Sequence, residues 1–185
     1  YYNWRAYLDY GGGQVTDLFT HWIDVVHMFT GKDIPFSASA AGGIYHYKDG
    51  RTAPDTINVL LQYPGPREFT ATFEATLVPG ITGEAIEVCG TEGRLWIDRS
   101  RYEYYPVHAK EPAEVVKAEV LQGIRDSLTQ DHVNNFLECV KSRQHPNGDV
   151  LIGHRSAQAS HLGNISYEQR RRIDFDTTRE EILPL

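Results

Sequence analysis

Between Val15 and Phe29 the apolar positions recur with a helical period. At about 100° per residue, Val15, Leu18, Phe19, Trp22, Val25, Val26 and Phe29 gather on one side, and Asp17, His21, Asp24 and Met28 form a narrow stripe on the other. Three glycines (Gly11, Gly12, Gly13) precede this segment and Gly31 follows it, which predicts one helix over 14–30. From Phe36 to about Val107 the pattern changes to short runs rich in β-branched and aromatic residues: FSASAAGGIYHY, TINVLLQY, EFTATFEATLV, EAIEVCG, GRLWIDR and YEYYPV. The connections between them, such as PGP at 64–66 and GTEG at 90–93, are too short for crossovers and favour antiparallel hairpins. Residues 108–129 are charged and read as a loop with a short helix. Val133, Phe136, Leu137 and Val140 predict a second helix over 131–143, ended by PNGD. Ile152, Ala157, Ala159, Leu162 and Ile165 continue the helical period from Val150 to about Arg170, and RRIDFD alternates as a closing strand. This order predicts an α+β domain, an open, mostly antiparallel sheet with helices packed on one face.

Length and composition narrow the function classes. A chain of 185 residues, 41% hydrophobic and 23% charged, reads as one compact globular unit over 1–185. No run approaches the roughly 18 apolar residues of a membrane span. The net charge of −7, with basic residues scattered apart from Arg170, Arg171 and Arg172 beside the closing strand, argues against nucleic acid as a partner. Cys89 and Cys139 show no metal-knuckle spacing and read as buried thiols. The chain starts at Tyr1 in aromatic sequence and reads as part of something longer, so that any targeting segment would lie upstream; a cytoplasmic location is the expectation.

The polar stripe of the first helix carries the chemistry. A solvated helix face normally bears Lys, Glu, Arg and Gln, whereas this one has short carboxylates, a titratable ring and Met28. Asp17 and His21 are four apart, a spacing at which a carboxylate can fix the tautomer of an imidazole that then serves as general acid or base near neutral pH. An ordinary surface pair would show the same spacing. Asp17, His21, Asp24 and His27 are all metal-ligand types, but His27 lies to one side of the stripe, towards Thr20, and no HExxH spacing is present, so no metal is assigned. The glycines would let the helix start approach a ligand closely. Trp4, Arg5 and Tyr10, just upstream, form a set that could bind a sugar through hydrogen bonds and stacking. Tyr45, Tyr47, Tyr63 and Trp96 fit either a subunit interface or a core, Asp55 and Asn58 fit turn chemistry, and the NIS triplet at 164–166 reads as an accidental sequon.

An aromatic Trp-Arg segment, a glycine-rich turn and Asp-x-x-x-His-x-x-Asp on a helix ahead of a β-rich region resemble the C-terminal domain of the Gfo/Idh/MocA family, the glucose-fructose oxidoreductase and inositol dehydrogenase family. GGGQVTDLFTHWIDVVHMFTG resembles the family's catalytic helix, EVCGTEGRLWIDR its strand–turn–strand, and the run from His132 to Asp176 its closing helix–loop–helix–strand. The resemblance implies that 1–185 is the substrate-binding and oligomerisation domain of a two-domain NAD(P)-dependent oxidoreductase. A hydride would pass between the nicotinamide and a hydroxyl or carbonyl of a sugar, cyclitol or related polyol. It implies His21 as acid or base and Asp17 as its support. Trp4, Arg5, Tyr10, Asp24 and His154 would line the substrate, while His161, seven residues on from His154, takes a structural role. NAD or NADP would be held mainly by a separate N-terminal domain, because GGGQVT lacks the third glycine of a dinucleotide fingerprint and follows no strand, and the family's Glu-Lys-Pro segment is not in this chain. The strands would line a homo-dimer or homo-tetramer interface. Two other readings stand beside this one: a glycosidase of the same family that uses bound NAD transiently, and a non-catalytic ligand-binding or assembly module.

Overall fold

A computed structural model of the chain describes residues 2–78, 83–117 and 128–184. In chain order it shows a 3-10 turn at Trp4–Ala6 and a π-helical turn at Val15–Phe19 that runs into α1 (Thr20–Thr30). Strands β1 (Ser37–Gly43), β2 (Thr56–Tyr63), β3 (Phe69–Thr76), β4 (Ile86–Cys89), β5 (Gly93–Ile97), β6 (Arg101–Pro106) and β7 (Glu114–Lys117) follow. Helices α2 (Leu128–Ser142) and α3 (Val150–Gln169) and strands β8 (Ile173–Asp176) and β9 (Glu181–Ile182) complete the order. The single unit expected from length divides into two compact ones: Tyr1–Ile81 with Asp149–Leu185, and Thr82–Gly148. The expected α+β architecture with open antiparallel sheets holds, and the strands separate into two sheets rather than one.

The first unit carries a five-stranded sheet in the order β3-β2-β1-β8-β9. Alternation along β2 sends Ile57, Val59, Leu61 and Tyr63 inward, against Val15, Phe19 and Ile23 of the first helical segment, Ala159 and Leu162 of α3, and Ile173 and Phe175 of β8. Phe19 stacks on Phe73 and Tyr63 on Phe69, with centroids 4.7 and 4.6 Å apart. Tyr63 is therefore core. Asp55 opens β2 from a fully buried position and accepts the backbone N–H groups of Tyr45, His46 and Tyr47 at 3.1, 2.8 and 3.0 Å, so the turn chemistry expected of it ties down the preceding loop. Burial pushes its carboxyl up, and these donors together with the Thr56 hydroxyl outweigh burial and hold it at about 2.

The helical wheel required correction. The buried positions are Val15, Phe19, Ile23 and His27, while Leu18 and Phe29 of the predicted apolar side are exposed. The cause is the π turn, whose wider i→i+5 bonding offsets the stripe read with a 3.6-residue period. Gly31 stops the helix with φ 65°, as its position predicted. Two further readings change. Cys89 is exposed and Cys139 half-buried, since the short β4 and α2 leave these thiols unburied. Part of 108–129 is β7, and 118–127 lies outside the described residues.

In the second unit β4-β5-β6-β7 form an antiparallel sheet. One of its faces is a cross-strand ladder: the Arg94 guanidinium lies 3.9 Å from the Tyr105 ring and pairs with Glu87, and that of Arg101 lies 4.8 Å from Trp96 and pairs with Glu103. Leu95, Ile97, Tyr102 and Tyr104 alternate onto the other face.

His27 is buried in the first unit with Nε2 2.7 Å from the Tyr63 hydroxyl, and its Nδ1 has no hydrogen-bond partner among the described residues. Burial lowers its pKa from the ordinary 6.5, only partly countered by the charges of Asp33 and Asp24. Below the ordinary range the unfolded chain takes up the proton that the folded chain resists, so folding weakens as pH falls. Chemical denaturation at pH of about 7.5 and about 5.5 should show this loss, at no more than about 1.4 kcal/mol per pH unit, and His27→Gln should flatten it.

Candidate active site

The segment that presents Asp17 and His21 is positioned by the glycine turn. Asn164 of α3 donates from Nδ2 to the Gly12 carbonyl at 2.8 Å, and a Cβ on Gly12 would lie 2.4 Å from that same nitrogen and 2.4 Å from Thr16 Oγ1. Gly13 has φ +65°, and a Cβ there would meet the Ala53 side chain at 3.0 Å. The buried Gln14 amide donates to the Asp55 carbonyl at 3.1 Å. The expected use of these glycines, close approach to a ligand, is thus replaced by close approach to the chain's own Asn164 and Ala53. The turn does not fit a dinucleotide pyrophosphate, because the space such a cradle needs is filled.

Asp17 lies within the π turn and is held from upstream. Arg5 donates from Nε to both of its carboxylate oxygens at 2.8 and 2.9 Å. The Arg5 guanidinium rests 4.2 Å from the centre of the Trp4 ring, and that ring occupies the space beside Gly11, where a Cβ would be 2.9 Å from it. Asp17 is not hydrogen-bonded to His21, which differs from the pairing their spacing suggested: the turn between them is partly π, and Arg5 takes both oxygens. His21 is exposed, and no hydrogen bond engages it among the described residues.

The remaining predicted residues fall into separate groups. Asp24 accepts the Ser156 hydroxyl at 2.7 Å, and one turn earlier Thr20 donates to Ser160 at 2.9 Å, so both clasp α1 to α3. The Ser156 and Ser160 partners went unnoticed in the sequence, although small polar residues four apart along one helix, Ser156, Ser160 and Asn164, are a readable sign of a polar seam. Tyr10 is exposed and meets Tyr7 edge-on, 6.5 Å between centroids. His154 belongs elsewhere: its Nε2 lies 3.2 Å from Glu180, whose carboxylate also accepts Arg155 at 2.7 Å and Gln158 at 2.9 Å. The hydrogen bonds from Arg155, Gln158 and His154 hold Glu180 at about 2. His161, expected in a structural role, is exposed on the wall of an open hollow of about 360 Å³ floored by Leu162, Ile165, Phe175 and Ile182. Asn164 is buried and bonded inward, which agrees with its sequon being accidental.

The first unit thus carries a helix with an exposed imidazole and an arginine-clasped carboxylate over an antiparallel sheet. Residues 1–96 match the family model described as the GFO/IDH/MocA C-terminal domain. The chain belongs to this family. Solved structures of similar fold include the WlbA dehydrogenase from Bordetella pertussis in complex with NADH and UDP-GlcNAcA, at TM-score 0.71 and 17% identity over 98% of this chain and 51% of that one. The aldose-aldose oxidoreductase from Caulobacter crescentus matches at TM-score 0.67 and 19% identity over 93% of this chain and 50% of its own. The UDP-N-acetylglucosamine 3-dehydrogenase GnnA from Acidithiobacillus ferrooxidans matches at 0.61 and 16% over 84% and 47%. This Gfo/Idh/MocA chain therefore spans about half the length of these structures. A search of curated proteins returns no significant match. No helix among the described residues is long and apolar enough to cross a membrane.

Gly12→Ala should destabilise the first unit by about 1–3 kcal/mol, the usual cost of overpacking a filled site. A lowered urea midpoint at unchanged slope would show it, and wild-type stability would mean that Asn164 does not hold the turn.

Proposed function

We propose that this chain is the substrate-binding domain, over 1–185, of an NAD(P)-dependent oxidoreductase acting on a hydroxyl or carbonyl of a sugar, cyclitol or related polyol. The observation that carries this reading is the exposed, unengaged imidazole of His21, presented by a helix whose start is locked to Asn164 and whose Asp17 is locked to Arg5. It is the arrangement expected of a group that must meet a substrate oxygen. The nicotinamide, held mainly by the other half of the protein, supplies the hydride acceptor or donor when bound. This chain's own part is to bind the polyol and move one proton. His21 takes the proton from the reacting hydroxyl in oxidation and returns it to the carbonyl oxygen in reduction, and Asp17 supports the charge that develops on the ring. Arg5, Trp4 and Tyr10 contribute the upstream wall, Asp24 sets the helix through Ser156, and His154 has a weaker claim because Glu180 engages it.

The reading includes a homo-oligomer in the cytoplasm, formed through the outer face of the first sheet. Ala41, Asn58, Leu60 and Thr72 lie together there in register and are exposed, a flat surface of modest side chains suited to a second copy.

In the complete protein His21→Ala should slow the chemical step by about 10² to 10⁴ while nucleotide affinity stays near wild type, as measured by NAD(P)H formation and by nucleotide titration. An unchanged rate would return the helix face to a purely structural role.

A further inference from the structure

The upstream arginine is paired in an unusual way. A guanidinium making a structural ion pair commonly presents two N–H groups to two carboxylate oxygens. Here the single Nε–H of Arg5 serves both oxygens of Asp17, and neither Nη makes a hydrogen bond among the described residues. Four of its five N–H groups are unspent, on a side chain that is 59% exposed. The group is nevertheless fixed in orientation by Asp17 on one edge and by the Trp4 ring beneath it, and that ring is itself seated against Gly11. Ordering an arginine is a large part of what its use in binding costs, and here the ordering is done before any ligand arrives. The carboxylate it holds belongs to the turn immediately before His21.

We infer that the Nη edge of Arg5 receives an anionic oxygen group of the substrate, a carboxylate or a phosphate, so that the polyol handled beside His21 is an acidic one. This rests on the reading of the preceding subsection and narrows its substrate class. The planar edge presents parallel N–H groups at the spacing of two oxygens on one carbon or phosphorus, a match that a single neutral hydroxyl cannot use fully. Asp17 neutralises the arginine in the empty site, which keeps the bare cation from attracting anions without discrimination. Asp17 occupies the Nε edge, and the Nη edge makes no hydrogen bond among the described residues.

The test is direct binding to the complete protein, by calorimetry, of methyl glucuronide, methyl glucoside and methyl glucoside phosphorylated on its primary hydroxyl. At least one charged glycoside should bind about 10- to 100-fold more tightly than the neutral one, the usual range for hydrogen bonds to a charged group. Whichever is preferred identifies carboxylate or phosphate as the source. The ratio should fall close to one in Arg5→Gln. Should that variant not fold, Arg5→Lys, which keeps the charge and loses the planar edge, should lower the ratio severalfold. Equal binding of charged and neutral glycosides, binding of none, or a preference that survives substitution at Arg5 would overturn the inference. A slowed His21→Ala enzyme without anion preference removes this inference alone. Anion preference with an unaffected His21→Ala rate removes the catalytic reading and leaves Arg5 as an anion site.

Discussion

The close approach of α3 to the sheet and to the first helical segment is the constraint on which the site depends. It is made possible by small side chains: Val59 packs so near Gly163 that a Cβ there would be 2.8 Å from it, and Ser156, Ala159, Ser160, Asn164 and Ser166 are all buried on the same helix. Each polar member of that seam has a partner. Ser156 meets Asp24, Ser160 meets Thr20, Asn164 meets the Gly12 carbonyl, and Ser166 accepts the Ala40 amide while donating to the Arg171 carbonyl. A buried polar group without a partner costs more than its bond returns, so this seam specifies one docking of the helix where an all-apolar seam would tolerate several. That docking fixes the start, the middle and the polar stripe of the segment carrying Asp17 and His21.

The π turn works within that frame. The apolar stripe read from the sequence assumes an ordinary α turn at Val15–Phe19, which the structure does not have. The widened turn instead aligns Val15, Phe19, Ile23 and His27 with the core and leaves Leu18 and Phe29 outside, Phe29 at 58% exposure. A π bulge costs hydrogen-bond quality and is retained where it re-aims side chains. In this chain the re-aimed pair is Asp17, swung to Arg5, and His27, turned inward to Tyr63.

Much of the fold was legible because its signals are local. Alternation in TINVLLQY and EFTATFEATLV gives β2 and β3 almost to the residue, and the glycine at 31 and the aspartate at 149 mark helix ends by their capping chemistry. The separation into two sheets was not legible, since strand partners are chosen by long-range packing, and β8 joins β1 across more than a hundred residues. The π turn left no trace in periodicity, so the wheel turned Leu18 and Phe29 inward and did not find Ile23 and His27 in the core. β7 was hidden because EVVK, mostly exposed and flanked by charge, lacks a clean period. At the site, the residue types of the polar stripe were readable and their partners were not: Asp17 has two candidates of suitable chemistry, and only the three-dimensional path of the Trp4–Ala6 turn delivers Arg5 to it.

That path alters what an Asp-x-x-x-His spacing means. Read as a dyad, the carboxylate holds the imidazole and the arginine is an upstream bystander. In the fold the carboxylate holds the arginine, and the imidazole keeps both nitrogens for whatever faces it. The two roles do not exclude each other, because a carboxylate has about four acceptor positions and the single Nε–H of Arg5 occupies one on each oxygen. Asp17 is thus oriented by Arg5 with acceptor positions to spare. The helix face that combines short carboxylates with an unengaged ring is, on this geometry, not a closed dyad. Its carboxylate is oriented by the upstream arginine, and its ring carries no side-chain hydrogen bond among the described residues.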